Sequence, residues 1–352
     1  MSKQIQEAYI VSALRTPVAR ARGAFKNVRP DDMLAHVLAG VTADNPELRD
    51  RVEDVIVGCA MPEGEQGMNV GRIGVLLAGF PDHVPAVTIN RFCSSGSQAV
   101  AMAADRIRLG EADVMIAAGT ESMTMVPMMG NKIALNPRVF SDDHVNIAFG
   151  MGITAENVAQ QWKVDRDTQD EFAAESHRRA LEANAAGHFA GEILPYDVEN
   201  SFQVPGVHEV KKQRFTLEND NGPREGSSPE VLGKLRSAFH ARGSVTAGNS
   251  SQMSDGAGAV LLVSEKVLKE HNLEPIGRFV TSAVAGVPPE IMGIGPKEAI
   301  PKCLERAGLR QDDVDWIELN EAFAAQAVAV INDRGLDREK VNPQGGAIAL
   351  GH

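Results

Sequence analysis

Hydrophobic positions in the first third of the chain follow two periods. Short, nearly continuous apolar runs, typical of buried strands, alternate with segments in which apolar residues recur every three or four positions, as along one face of a helix. The apolar runs predict strands over 8–17, 52–60, 85–90 and 112–122, and the other segments predict helices over 29–41, 68–80 and 94–110. This alternation predicts an α/β fold in which helices cover a sheet.

The same order of elements recurs near the end of the sequence. The patterns there predict strands over 275–287 and 314–320, helices over 296–308 and 321–335, and then a turn-like segment over 341–352 that matches the region of Cys93 in the first half. A recurrence over so long a period indicates a duplicated domain. The first half continues into a helix and a strand at this point, whereas the sequence stops at His352. We therefore expect the natural chain to continue with the final helix and strands of the second half.

Residues 123–245 differ in amino-acid composition from both halves. They are richer in Met, Asn, Pro and charge, and they include a strongly helical stretch over 154–187. We interpret them as a mainly helical insertion, because long insertions in compact folds are usually functional. The predicted domains are thus an N-terminal half over 1–122, to which 246–270 contribute, this inserted loop domain, and a C-terminal half over 271–352.

Composition argues against several classes of function. A net charge of −12 argues against binding to nucleic acid or to an anionic membrane. No apolar stretch resembles a secretory signal or a membrane span, so we expect no membrane insertion. The cysteines at 59, 93 and 303 form no spaced cluster, which predicts neither a disulfide framework nor a metal site and favours the reducing cytoplasm. Residues 201–245 carry a local excess of basic residues, either as ordinary surface variation or as a site for a phosphorylated cofactor.

The stretch NRFCSSGSQAV, residues 90–100, is the strongest candidate for chemistry. A predicted strand ends at Asn90, Cys93 follows in a tight turn, and a helix begins directly after it. The positive end of a helix dipole favours a thiolate, and the free N–H groups of the first turn can hold an oxyanion. The alternative is a buried structural cysteine, which is the usual state of a free cysteine.

Five motifs together resemble the thiolase family, in order and with matching spacing. The Cys93 stretch resembles the nucleophile loop of that family, NEAFA resembles its Asn loop, and GGAIALGH resembles the approach to its catalytic histidine. TAGNSSQMSDGAGA and MGITAEN resemble its segments that contact coenzyme A. The resemblance implies two duplicated βαβαβαβ halves that form a layered α/β/α/β/α core, with the loop domain providing coenzyme A and oligomer contacts.

The resemblance also assigns roles to individual residues. Cys93 would be the nucleophile that becomes acylated, His352 the residue that activates it, and Asn320 the residue that positions a water in the oxyanion hole. For Asn320 we also expect a role as N-cap of the helix that follows, whereas His352 could alternatively be an unordered chain end. The residues expected to contact coenzyme A are Met151, Phe239, Ala247, Ser251 and Phe323 along the pantetheine arm and Arg224 near the nucleotide.

The activity implied is that of an acyl-CoA:acetyl-CoA C-acyltransferase, which cleaves 3-ketoacyl-CoA with coenzyme A through an acyl-Cys93 intermediate, as in fatty-acid β-oxidation. Coenzyme A would be a substrate, with no permanently bound cofactor, and the protein would be a homodimer or homotetramer. Gly150 stands where short-chain biosynthetic members carry His, which favours the degradative type over a biosynthetic acetoacetyl-CoA thiolase. A ketosynthase is disfavoured because NEAF replaces one of its two histidines, and a non-catalytic acyl-CoA or lipid-binding protein is disfavoured because Cys93 is present.

The thiolase family has a fourth catalytic loop with the sequence Cys-x-Gly. Its cysteine shuttles a proton to and from the α-carbon of the substrate. Neither Cys59 nor Cys303 lies in such a sequence, and Cys303 falls within a predicted helix. We interpret both as packing residues. The sequence through His352 contains no Cys-x-Gly motif.

We predict that Cys93 is the only one of the three thiols that reacts rapidly with iodoacetamide at neutral pH, because it begins a helix. Mass mapping of a time course measures the three sites separately. Labelling of Cys59 or Cys303 ahead of Cys93 would contradict the assignment.

Overall fold

The computed structural model describes residues 5–141, 143–203, 206, 208 and 210–352. The chain divides into two compact units. The first unit comprises Met1–Ile133, Phe189–Asn221 and Ser254–Val280, and the second comprises Ala134–His188, Gly222–Met253 and Thr281–His352. These units do not follow the three predicted domains, which stay a prediction. Five positions of the predicted loop domain, 142, 204, 205, 207 and 209, lie outside the described residues.

The elements alternate as a mixed α/β chain. The strands are β1 Ala8–Arg15, β2 Ala19–Arg20, β3 Asp54–Gly58, β4 Ala86–Ile89, β5 Val114–Ser122, β6 Tyr196–Gln203, β7 Val210–Leu217, β8 Ser254–Ser264 and β9 Gly277–Phe279. The helices are α1 Pro30–Gly40, α2 Val70–Leu77, α3 Ser95–Arg108, α4 Met151–Trp162, α5 Arg166–Ala185, α6 Pro229–Leu232, α7 Glu265–Glu270, α8 Gly295–Ala307, α9 Ala324–Arg334 and α10 Ala347–Leu350.

A mixed sheet forms the centre of the first unit, with strand order β4-β3-β5-β8-β1-β9 and β2 paired to β8. Strand β3 is parallel to β4 and β5, whereas β8 runs antiparallel to β5 and β1. The four strands and three helices predicted for the first half all form, with shorter bounds. Strands β6 and β7 make a separate two-stranded antiparallel sheet.

Alternating side chains of the sheet separate the core of the first unit into two clusters. In β5, Ile116 belongs to a cluster with Leu34 of α1 and Val75 of α2, whereas its neighbour Met115 belongs to a cluster with Ile107 of α3. All five side chains are fully buried, and each contributes about 1.5–3 kcal/mol by its burial. Because successive side chains of β5 point to opposite faces of the sheet, the face of Met115 packs against α3, the helix that follows Cys93.

Helix α9 is the centre of the second unit. Every residue from Ala324 to Ile331 is buried, and this helix packs against α4, α5 and α8. A helix stretch that is buried on all sides must be surrounded by other elements, and the core around it includes Val158 of α4 and Phe172 of α5. Helix α9 thereby positions the segment that precedes it, residues 319–323.

Two strands predicted for the second half were wrong in extent. In 314–320, Ile317 makes a single parallel bridge with Val341, and within the described residues no ladder extends it. Of 275–287, only Gly277–Phe279 is a strand, and it pairs with β1 of the first unit. A strand exists only where a neighbour supplies a continuous hydrogen-bond ladder, and an apolar run cannot reveal whether that neighbour is there.

Replacing Gly58 by Ala should destabilise the protein by about 1–3 kcal/mol, the usual cost of overpacking a core. Gly58 ends β3, and a Cβ there would lie 2.6 Å from the backbone carbon of Ser95, at the start of α3. Gly119 pairs with Gly58 in register, but a Cβ there would meet its nearest atom at 3.4 Å. Gly119→Ala is therefore the matched control, and equal melting temperatures for the two variants would contradict the prediction.

Candidate active site

The turn that carries Cys93 is fixed by short hydrogen bonds. Asn90 Oδ1 accepts from the backbone N–H of Phe92 at 2.7 Å, and Ser95 Oγ both accepts from Arg91 N at 2.8 Å and donates to the carbonyl of Phe92 at 2.7 Å. Phe92 has φ +46°, in the left-handed region, where a bulky side chain is strained. Strain of this kind persists only where the surroundings impose it, and it concentrates at functional sites.

Cys93 itself is exposed and precedes Ser94, the N-cap residue of α3. The surrounding protein nevertheless desolvates its thiol, and this desolvation is the largest influence on the pKa of Cys93, which it raises. The charge of Glu121 raises the pKa further, whereas a backbone hydrogen bond lowers it. The net direction is opposite to our expectation from the helix dipole, so the thiolate has to be formed by a proton acceptor.

The other two cysteines occupy packed positions. Cys59 is buried, and its Sγ lies 3.9 Å from Oε1 of Glu121. Burial, followed by the charge of Glu121, raises the pKa of Cys59 to about 12, so its thiol is protonated at neutral pH. Cys303 is half-buried within α8.

Three segments of the second unit meet at Ser251. Its backbone N–H donates to the carbonyl of Ala322 at 2.9 Å, and its Oγ lies 3.4 Å from Nδ1 of His352. The backbone of Asn249 in turn accepts from the N–H of Ala324 at 2.9 Å. The structure therefore brings together the segments that carry three predicted site residues, Ser251, Asn320 and His352.

His352 is exposed as a residue, yet desolvation lowers the pKa of its imidazole. At neutral pH the ring is consequently uncharged and able to accept a proton. The segment before it is attached to the rest of the second unit by Gln252, whose Nε2 donates to the carbonyl of Ala349 at 3.2 Å.

Asn320 is exposed, and its backbone carbonyl accepts from Nε2 of Gln326 at 3.1 Å. The expectation that it also caps α9 was wrong. That helix begins at Ala324 with Phe323 as its N-cap, three positions beyond Asn320, which is too far for the capping geometry.

The residues predicted to contact the pantetheine arm lie in the second unit. The rings of Phe239 and Phe323 meet edge to face with centroids 6.0 Å apart, and Gly152, next to Met151 at the start of α4, has no room for a Cβ beside the Phe239 ring. Ala247 is exposed in the loop between Val245 and Ser251. Phe239 therefore packs between the start of α4 and Phe323, which belongs to the segment of Asn320.

Arg224, the residue predicted near the nucleotide, is exposed, and its backbone N–H donates to Nδ1 of His177 at 3.2 Å. His177 is buried on α5. Desolvation, and then the charge of Arg224, lower the pKa of His177 from 6.5 to about 4. The neutral ring is the form that can accept this hydrogen bond.

Sequence reasoning missed the buried polar residues that hold these segments, above all Glu321, Ser176 and Asn342, which are all buried. Glu321 stood inside a motif that was noticed for its neighbour Asn320. Ser176 and Asn342 carry no local pattern, because their partners are far away in sequence.

Among the described residues, no group of three or more His, Cys, Asp or Glu side chains is arranged to hold a metal ion. In the same part of the chain, no helix combines the length and apolar character needed to cross a membrane.

Comparison with known proteins gives a consistent result over nearly the whole chain. The family models "Thiolase, N-terminal domain" and "Thiolase, C-terminal domain" match residues 8–266 and 273–352. A 3-ketoacyl-CoA thiolase of Bacillus subtilis (strain 168) is 46% identical over 349 residues, which cover 99% of this chain and 89% of the relative. A beta-ketoadipyl-CoA thiolase of Acinetobacter baylyi is 42% identical over 366 residues, with the same two coverages. The crystal structure of the Bacillus anthracis acetyl-CoA acetyltransferase superposes with a TM-score of 0.87 at 38% identity, covering 100% of this chain and 89% of that one.

The low pKa of His177 predicts a pH-dependent stability. An unfolded chain protonates this histidine near pH 6.5, whereas the folded protein does so only near pH 4. Stability should therefore fall as the pH drops through this window. His177→Asn keeps an acceptor near the position of Nδ1 but cannot titrate there, so its melting temperature should fall less steeply. Melting curves that stay parallel for the two proteins across the window would contradict this prediction.

Proposed function

Because the chain belongs to the thiolase family, we propose that Cys93 is its nucleophile, His352 the base that activates Cys93, and Asn320 the residue that positions a water in the oxyanion hole. The activity is that of an acyl-CoA:acetyl-CoA C-acyltransferase of the 3-ketoacyl-CoA thiolase type. Coenzyme A and acyl-CoA are the substrates, and no permanently bound cofactor is needed.

In the first half-reaction, Sγ of Cys93 attacks the 3-keto carbonyl carbon while its proton passes to His352. The carbon–carbon bond then breaks, the acyl group stays on Cys93, and the electron pair goes to the α-carbon of the departing acetyl-CoA. The resulting enolate oxygen is stabilised by fixed hydrogen-bond donors, including the water held by Asn320. Protonation of its carbon is the step that the family resemblance gives to a cysteine of a Cys-x-Gly loop, a motif not found in residues 1–352.

Between the half-reactions, His352 gives up the proton it took from Cys93, which replaces the proton delivered to the departing α-carbon. In the second half-reaction, the thiol of a second coenzyme A loses its proton to the neutral His352 and attacks the acyl-Cys93 carbonyl. The thioester to Cys93 breaks, the new acyl-CoA leaves, and the proton returns to the Cys93 sulfur. This exchange of one thioester for another needs a base and an oxyanion hole but no acid at carbon.

The observation that carries the proposal is the state of Cys93. It is the exposed cysteine among the three, it stands on a strained and hydrogen-bonded turn at the start of α3, and its pKa is raised. An exposed thiol that remains protonated requires a neutral base for attack. His352, with its lowered pKa, has the required protonation state.

We propose that Met151, Phe239, Ala247, Ser251 and Phe323 bind the pantetheine arm and that Arg224 binds near the nucleotide. The aromatic pair and the exposed Ala247 suit a thin, mostly apolar arm. Arg224 can supply charge-assisted hydrogen bonds to phosphate oxygens, and its exposed position leaves the side chain accessible to a ligand.

A degradative role with a roomy acyl site is the finer part of the proposal. Gly150 precedes α4, and a Cβ added there would meet nothing within 4 Å, so this position adds no bulk. The biosynthetic direction, formation of acetoacetyl-CoA, uses the same residues and remains the alternative. We further propose a cytoplasmic location, because a free reactive thiol such as Cys93 persists in a reducing compartment. The family resemblance supports the proposal that the protein is a homodimer or homotetramer.

The proposal predicts that the chain becomes acetylated on Cys93 when it is incubated with acetyl-CoA, and that the acetyl group returns to added coenzyme A. Cys93→Ser should show no acetylated thiol, whereas Cys59→Ser, which also removes one thiol, should behave as the parent. His352→Asn should slow the exchange about 10²–10⁴-fold, as expected for loss of a general base.

Peptide mass spectrometry locates the acetyl group, and exchange of isotope-labelled coenzyme A into acetyl-CoA measures the rate. Reversible binding of acetyl-CoA without any covalent adduct would instead support the non-catalytic alternative.

A further inference from the structure

The carboxylate of Glu321 is fully buried next to the exposed Asn320. Its Oε2 accepts from Ser176 Oγ at 2.6 Å and from the backbone N–H of Ile348 at 3.3 Å, while its Oε1 accepts from Asn342 Nδ2 at 2.8 Å. The three donors come from α5, from the segment before α10, and from α10 itself. One side chain thus connects parts of the second unit that are far apart in sequence.

Glu321 also shapes the segment that leads to His352. A Cβ on Gly346 would lie 2.3 Å from the carboxyl carbon of Glu321, so only glycine fits between them. Ser176 Oγ accepts from the N–H of Gly346 at 3.1 Å, and Gly345 has φ +82° with no room for a Cβ beside α5. The two glycines are therefore clamped between Glu321 and α5, and the chain runs from there through α10 to His352.

The same carboxylate is attached to the segment of Asn320 by a second route. Asn342 donates from Nδ2 to the carbonyl of Leu319 at 2.8 Å, and its Oδ1 accepts from the N–H of Leu319 at 2.7 Å. Asn342 thus forms a two-sided bridge to the residue just before Asn320, and its remaining Nδ2 proton serves Glu321.

All three partners donate to Glu321, and two of them, the N–H groups of Ile348 and Asn342, can act only as donors. Ile348 offers a backbone N–H and Asn342 an amide N–H, and the hydroxyl of Ser176 already accepts from Gly346, which leaves its proton for the carboxylate. An ionised carboxylate satisfies all of them, whereas a neutral carboxamide or carboxylic acid adds a competing donor. A mismatch in such a buried site is costly.

We propose that Glu321 is a positioning residue that sets the relative placement of Asn320 and His352 through its bonds to Ile348, Ser176 and Asn342. This inference rests on the proposed roles of Asn320 and His352. It assigns Glu321 no contact with the substrate. Its effect is on the orientation of the base and of the water-binding amide, and orientation contributes strongly to rate, since a displacement of about 1 Å can cost about 10²-fold.

The test compares Glu321→Gln with Glu318→Gln in the coenzyme A exchange assay. Gln is nearly isosteric with Glu, but its Nε2 cannot accept from Ile348. Glu318 is an exposed carboxylate directly before this segment that accepts from Trp316 Nε1 at 2.5 Å, so it is the matched control. We expect the kcat of Glu321→Gln to fall about 10–100-fold with KM for acetyl-CoA nearly unchanged, and Glu318→Gln to match the parent.

A second readout does not depend on activity. Hydrogen–deuterium exchange should become faster in both 319–323 and 345–351 of Glu321→Gln, while α3 of the first unit keeps its protection. If Glu321→Gln does not fold, Ser176→Ala, which removes the donor to Glu321 and the acceptor of Gly346, should give the same pattern in weaker form.

The outcomes separate the two proposals. If His352→Asn and Asn320→Ala leave the exchange rate unchanged, the proposed function fails, whatever Glu321→Gln does. If those variants are impaired while Glu321→Gln keeps both the parent kcat and the parent exchange protection, the role of Glu321 is wrong and the proposed function stands. A fall in kcat with protection lost evenly over the whole chain would also overturn it, because that result indicates general destabilisation.

Discussion

A buried carboxylate needs hydrogen-bond donors, and this requirement determines how the segments around Glu321 pack together. Its burial raises the pKa of the carboxyl group, while the bonds from Ser176, Asn342 and Ile348 lower it. In the first unit, the half-buried Glu121 is met in the same way, since it accepts from the backbone N–H of Ala60 at 2.7 Å and from Gln66. The buried Glu321 fixes the segment next to Asn320, and Glu121 fixes the segment that follows β3.

Burial acts in opposite directions on the two groups proposed to exchange a proton. It raises the pKa of Cys93 and lowers that of His352, so both are uncharged at neutral pH in the absence of substrate. A thiol is less susceptible to oxidation than a thiolate in the enzyme without substrate. In the proposed mechanism, the thiolate and the protonated imidazole would form only as the thioester or ketone carbonyl is attacked.

The first half of the fold could be predicted closely from the sequence, because β3, β5 and α3 are each specified by local periodicity. Strand β8 could not, since SDGAGAVLLVS begins with small residues and was noticed only as part of a family motif. Cys93 and the segments of Asn320 and His352 could be proposed as site residues from the sequence because their motifs are contiguous. The bonds that hold Glu321 depend on positions from 176 to 348, and no local pattern in a single sequence reports such a network. The raised pKa of Cys93 likewise depends on its folded surroundings.

The place of β8 in the sheet has a consequence for synthesis on the ribosome. It lies between β5 and β1, yet it is made after the whole stretch from 123 to 253. The earlier strands β1 to β5 therefore emerge with the middle of their sheet missing, and β1 cannot join β5 until residues 254–264 have left the exit tunnel. Such long-range pairing is slow and leaves strand edges exposed in the nascent chain. During that interval the growing polypeptide is a natural client for chaperones that cover apolar strands.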